Sequence, residues 1–111
     1  MKVLFLCNQG ENRSRTAAEI FSKKYETKYA GLYSFDKSKL LTDELLNWCD
    51  AILVMQKEHI EYLAENKPAY YLEKRVVNLE VPDIYDYNNE ELIKILKQKA
   101  KPVFRELEEL I

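Results

Sequence analysis

Cys7 and Arg13 stand six residues apart with Ser14 directly behind, in the run Cys7-Asn8-Gln9-Gly10-Glu11-Asn12-Arg13-Ser14. Apolar residues precede this run and a helical apolar spacing follows it, so it occupies a strand-to-helix turn. A loop of that length can curl until its backbone N–H groups converge on one point, beside the positive end of the helix dipole. Such a point suits a phosphate dianion, with Asn8, Gln9, Gly10, Glu11 and Asn12 as its cradle. The same field favours the thiolate of Cys7, which is the nucleophilic form of cysteine. Arg13 can hold two oxygens at once through its planar fork, as lysine cannot. Ser14 can donate a hydrogen bond to the sulfur, and Gly10 can take the positive φ of a tight curl. The spacing alone is a weak signal; the strand before, the helix after, the glycine within and the serine behind make it specific. The plain alternative is a buried structural thiol beside an ordinary surface arginine. Glu11 is expected to point outward, with Arg15 partly compensating its charge.

A sulfur nucleophile acting on a phosphate ester also needs a proton donor for the leaving oxygen. The stretch Val81-Pro82-Asp83-Ile84-Tyr85-Asp86-Tyr87 offers two. Asp83 follows a rigid proline and lies nearest a strand end, which favours it over Asp86, and both stay open at this point. Tyr85 and Tyr87 are expected to wall a pocket for an aromatic ester, with Tyr33 or Phe35 facing them. Cys49 reads as a small packed hydrophobe and His59 as an exposed helix residue without a role. The lone histidine and two distant cysteines show no metal-ligand spacing, and no cofactor is expected.

The elements that must position these groups follow from periodicity. Met1 to Leu6 is apolar on both faces, as a central strand of a parallel sheet would be. Ala17, Ile20, Phe21 and Tyr25 trace a first helix from about Asn12 to Tyr25. A weak strand over Thr27 to Leu32 precedes a second helix that starts behind Thr42, Asp43 and Glu44. Ala51 to Met55 is a further strand, Ile60, Leu63 and Ala64 mark one further helix, and Arg75 to Leu79 is the last strand. Asn88 and Glu91 resemble a capping pair for a long closing helix, with a kink or break expected at Pro102. Strands alternating with helices predict an α/β fold: a parallel sheet between helices on both faces, with ligands at the C-terminal strand ends. The runs 7–13 and 80–89 fall there.

The chain's 111 residues fit a single domain over 1–111, and a net charge of −2 gives no global reason to expect nucleic acid or an anionic membrane as partner. The opening apolar run is too short for a signal peptide or membrane span, so a cytoplasmic protein with free thiols is expected.

At Val3-Leu4-Phe5-Leu6-Cys7 with Arg13-Ser14, at Ala30-Gly31-Leu32, at Asp50-Ala51-Ile52-Leu53-Val54-Met55 and at Pro82-Asp83-Ile84-Tyr85, the chain resembles the low-molecular-weight protein tyrosine phosphatases in a shortened form. The resemblance implies a three-layer fold on a four-stranded parallel sheet of order 2-1-3-4, with the phosphate loop after the first strand. It also implies Cys7 as nucleophile, Arg13 as transition-state ligand, Asp83 as general acid, and a phosphorylated protein or small aryl phosphate as substrate. The chain departs from the family pattern at Gln9, Gly10, Asn12 and Arg15, where the family has glycine, asparagine, a second cysteine and proline. Ile84 and a single Tyr85 follow the acid in place of proline and paired tyrosines. Three other readings remain open: a phosphocysteine carrier similar to the IIB domains of sugar phosphotransferase systems, an arsenate reductase, which needs thiols nearer than Cys49, and an inactive phosphate-binding module.

Overall fold

The computed structural model describes residues 1–33 and 35–110. Four strands, β1 (Lys2–Cys7), β2 (Glu26–Gly31), β3 (Ala51–Val54) and β4 (Arg75–Asn78), form one parallel sheet in the order β2-β1-β3-β4. β1 is central because Val3 to Leu6 must be hidden on both faces, and all four are fully buried. Strand alternation divides the core in two. Val3, Phe5 and Cys7 face α1 (Arg13–Phe21) and α5 (Glu90–Leu110), packing with Ala17, Leu92, Leu96 and Phe104. Leu4 and Leu6 face α2 (Asp43–Trp48), α3 (Lys57–Asn66) and α4 (Pro68–Glu73), packing with Leu46 and Leu63 and against Tyr70 and Tyr71.

Thr42 caps α2 by accepting from the Leu45 N–H, ahead of Asp43 and Glu44, as its sequence suggests. Three boundaries differ from expectation. α1 ends at Phe21, and Tyr25 folds back so that its ring lies 4.5 Å from that of Phe104. The single helix expected between β3 and β4 is two, because Pro68 cannot continue α3 and instead opens α4. The cap of α5 is Asn89, whose Oδ1 accepts from the N–H groups of Glu91 and Leu92, while Asn88 sits at φ +60°. α5 also runs through Pro102 without a break. Among the described residues no helix is long and apolar enough to cross a membrane.

Candidate active site

The loops after β1, β3 and β4 meet at one edge of the sheet. Pairing beyond the strands brings them there: Leu79 N–H donates to Val54 O and Val81 N–H to Met55 O. The chain behind β4 therefore stays alongside β3 until it reaches Asp83.

Cys7 ends β1 and is 3% exposed. The Gly10 N–H donates to its Sγ at 3.2 Å, and Ser14 Oγ lies 3.0 Å from it. When Cys7 is a thiolate it has no proton to give, so Ser14 must donate to sulfur. Gly10 takes φ +70°, as its turn requires, and its N–H thereby points back at the Cys7 sulfur. The loop is braced from outside by the segment after β2, where Tyr33 N–H donates to Asn8 O and Phe35 N–H to Gln9 Oε1.

Arg13 begins α1 and is 1% exposed, one of the most deeply buried large side chains of the protein. Its Nη1 donates to Gln56 Oε1 at 2.5 Å and to Val81 O at 2.8 Å. Its Nε and Nη2 have no hydrogen-bond partner among the described residues, although Nε is 3.6 Å from Asp83 Oδ1 in a long ion pair. One edge of the guanidinium is thus anchored to the protein and the other, a two-donor fork, makes no hydrogen bond among the described residues and could hold an oxyanion. Burial pulls Arg13 below its ordinary pKa, and Asp83 and Cys7 pull the other way. Arginine nonetheless stays a cation, because its ordinary value is so high.

Cys7, Arg13 and Asp83 line one small cavity of about 110 Å³ together with Asn8, Gln9, Glu11 and Asn12. A larger hollow of about 370 Å³ lies at the opposite end of the strands, between Met1, Asp50, Glu73 and Arg75, and is lined by no cysteine. Chemistry and not volume selects the site.

Of the residues singled out from sequence, Asp83 reaches the cavity and Asp86 does not. Gly10 and Ser14 act on the sulfur from behind. Glu11 is half-exposed and pairs with Lys39, not with Arg15, whose partner is Glu19. The tyrosine wall is not formed as expected. Tyr85 is half-buried against the α1/α5 core, and Tyr87 donates its hydroxyl proton to Glu19 beneath the Arg15 guanidinium. Tyr33 packs edge-on against Tyr62, and Phe35 and Ile84 project into solvent near the loop.

Two residues here escaped the sequence reading. Gln56 holds Arg13, and His59, expected at the surface, is fully buried. His59 Nδ1 accepts from the N–H groups of Met55 and Gln56, and Nε2 lies 2.8 Å from Asn8 Oδ1. Burial first, and the Arg13 cation second, push its pKa down to about 4. The rule that pointed to the loops after β1 and β4 applied equally to the end of β3, where Gln56 and His59 stand three residues apart.

No protein-family model and no curated protein matches the chain. Solved structures do. Vibrio vulnificus Wzb in complex with benzylphosphonate superposes with a TM-score of 0.76 at 19% identity, over 95% of this chain and 97% of that one. The low-molecular-weight protein tyrosine phosphatase of T. tengcongensis gives 0.75 at 22% identity, over 98% and 99%. The YwlE arginine phosphatase of Geobacillus stearothermophilus gives 0.68 at 19% identity, over 97% and 96%. The chain has the fold of these phosphatases, from end to end.

Proposed function

We propose that the chain is a cysteine-dependent phosphate monoester hydrolase of the tyrosine phosphatase type. The observation that carries this reading is the buried Arg13, whose Nε and Nη2 have no hydrogen-bond partner among the described residues, beside a sulfur that already receives donors from Gly10 and Ser14. Burying two unsatisfied guanidinium donors costs about 1–3 kcal/mol each, a cost that an oxyanion would remove.

In the first half-reaction the Cys7 thiolate attacks phosphorus, the P–O bond to the alcohol or phenol breaks, and a protonated Asp83 gives its proton to the departing oxygen. Arg13 holds two equatorial oxygens, and its grip strengthens as the phosphoryl group flattens in the transition state. In the second half-reaction Asp83, now a carboxylate, takes a proton from water as that water attacks phosphorus. The P–S bond breaks, and Ser14 receives the returning thiolate with its hydroxyl proton.

Phosphotyrosine or a small aryl phosphate is the substrate class we favour, in keeping with the tyrosine phosphatases among the structural relatives; the arginine phosphatases among them make phosphoarginine the substrate to compare. The carrier reading fits less well, since Arg13 and Asp83 at one cavity would both discharge a phosphocysteine. Cys7→Ser is expected to abolish aryl phosphate hydrolysis and Asp83→Ala to slow it roughly 10²-fold or more. Full activity in the Cys7→Ser protein would exclude the mechanism.

A further inference from the structure

His59 is buried at the start of α3 with no reacting atom in contact, and the hydrolysis proposed above gives it no task. Its two nitrogens are nonetheless both committed. Nδ1 faces two backbone N–H groups, at 3.2 Å from Met55 and 3.1 Å from Gln56, so it must be the unprotonated nitrogen. The proton therefore sits on Nε2, which donates to Asn8 Oδ1 at 2.8 Å. An amide whose oxygen is pinned has its NH2 group pinned on the other side. There Asn8 Nδ2 donates to Asp83 Oδ2 at 3.3 Å.

We propose that His59 is a positioning residue that acts through Asn8 on Asp83, one fixed imidazole tautomer setting one orientation of the acid. Asp83 needs such a guide. Its side chain is about half exposed, and among the described residues Asn8 and the Arg13 Nε reach its carboxyl. With Oδ2 taken by Asn8, Oδ1 is the oxygen left to carry the proton for the leaving group, and it is also the one nearer Arg13. Were His59 unable to donate, the Asn8 amide could turn over and set its oxygen against the carboxylate, and the acid would swing away. The chain His59, Asn8, Asp83 spans the loops after β3, β1 and β4, so it exists only in the folded sheet. The inference rests on the hydrolase reading above.

The test separates proton donation from everything else. Phenyl phosphate has a poor leaving group that needs the acid, whereas 2,4-dinitrophenyl phosphate scarcely does, and kcat/KM reports the first half-reaction alone. Asn8→Ala removes the middle link and leaves the start of α3 intact. His59→Asn keeps an acceptor near the Nδ1 position and loses the donor to Asn8; His59→Gln restores a donor near Nε2. Asn8→Ala and His59→Asn should each lower kcat/KM for phenyl phosphate about tenfold more than for the dinitrophenyl ester, part of the 10²–10⁴ that general acid catalysis supplies. The double variant should lose no more than either single one, and His59→Gln should recover most of the difference. At pH 7 the ¹⁵N spectrum of the wild-type imidazole should show the Nε2–H tautomer. Equal losses on both esters, no loss, additive losses or an Nδ1–H tautomer would each overturn the positioning role and leave the hydrolase intact. A wild-type protein that cleaves neither ester would overturn the hydrolase reading and this inference with it.

Discussion

On the proposed hydrolase reading, the choice of arginine at position 13 answers two demands that no other side chain meets. It must be anchored by one nitrogen, here Nη1 on Gln56 and Val81, and still present a planar pair of donors. It must also remain charged while buried, which a lysine at the same place would resist. His59 answers burial in the opposite way, by staying neutral. Its value of about 4 in the folded protein lies below the ordinary 6.5, so between these two the unfolded chain binds a proton that the folded one refuses. Its contribution to stability is therefore fully present above about pH 6.5 and is lost as pH falls toward 4. At about 1.4 kcal/mol for each pH unit of the difference, the loss by pH 4.5 is about 2–3 kcal/mol. Urea unfolding at pH 7 and pH 4.5 should show wild type losing that much more than His59→Asn; equal losses would mean that His59 is not the group refusing the proton. Cys7 and Arg13 were legible because a short loop couples them in sequence. His59 was not, since nothing local distinguishes a histidine under a loop 51 residues away from one in water.

The chain has two glycines, and they touch each other. β1 and β2 pair in register from Lys2↔Glu26 to Cys7↔Gly31, which delivers the end of β2 to the outside of the loop that follows Cys7. A Cβ on Gly31 would lie 2.4 Å from the Gln9 carbonyl carbon, and one on Gly10 would lie 2.7 Å from the Gly31 nitrogen. Gly31 has ordinary backbone angles, so its reason for being glycine is space alone. Gly31→Ala should therefore push the loop off its curl, destabilising the fold by about 1–3 kcal/mol and weakening inhibition by vanadate at least tenfold. Wild-type vanadate inhibition in that variant would show the loop to be free of β2. All four strands were legible, three as apolar runs bounded by polar or turn residues and the second only as the weak segment Thr27 to Leu32, because β2 is polar along most of its length. Nothing in the sequence marks the role of Gly31, which lies within the expected strand Thr27 to Leu32, since its contact with Gln9 depends on a register that the sequence does not display. Pro68 is a stop signal visible in the sequence, but the apolar stripe at Ile60, Leu63 and Ala64 marks only the first of the two helices, and the residues after Pro68 carry no comparable stripe.

The closing helix shows how the molecule tolerates a local fault where the global arrangement permits it. α5 buries Leu92, Leu96, Ala100, Phe104 and Leu107 along one stripe, and this face completes the core over α1, with Phe21 and Phe104 in edge contact at 5.0 Å. Pro102 lies on the exposed side of that stripe, between Ala100 and Phe104. The carbonyl it deprives of a partner, on Gln98, can turn to water, so the packing of the buried stripe holds the helix together where the proline alone would break it. An internal proline costs about 3 kcal/mol relative to alanine, and this one has no compensating role in the cavity. Pro102→Ala should accordingly raise unfolding stability by about 1–3 kcal/mol while leaving the proposed aryl phosphate hydrolysis unchanged, since none of the residues lining the cavity at Cys7 belongs to α5. Urea denaturation and steady-state kinetics on one preparation decide it. A loss of stability would mean that the proline bends α5 to fit the curve of the sheet, and that the expected break survives as a bend.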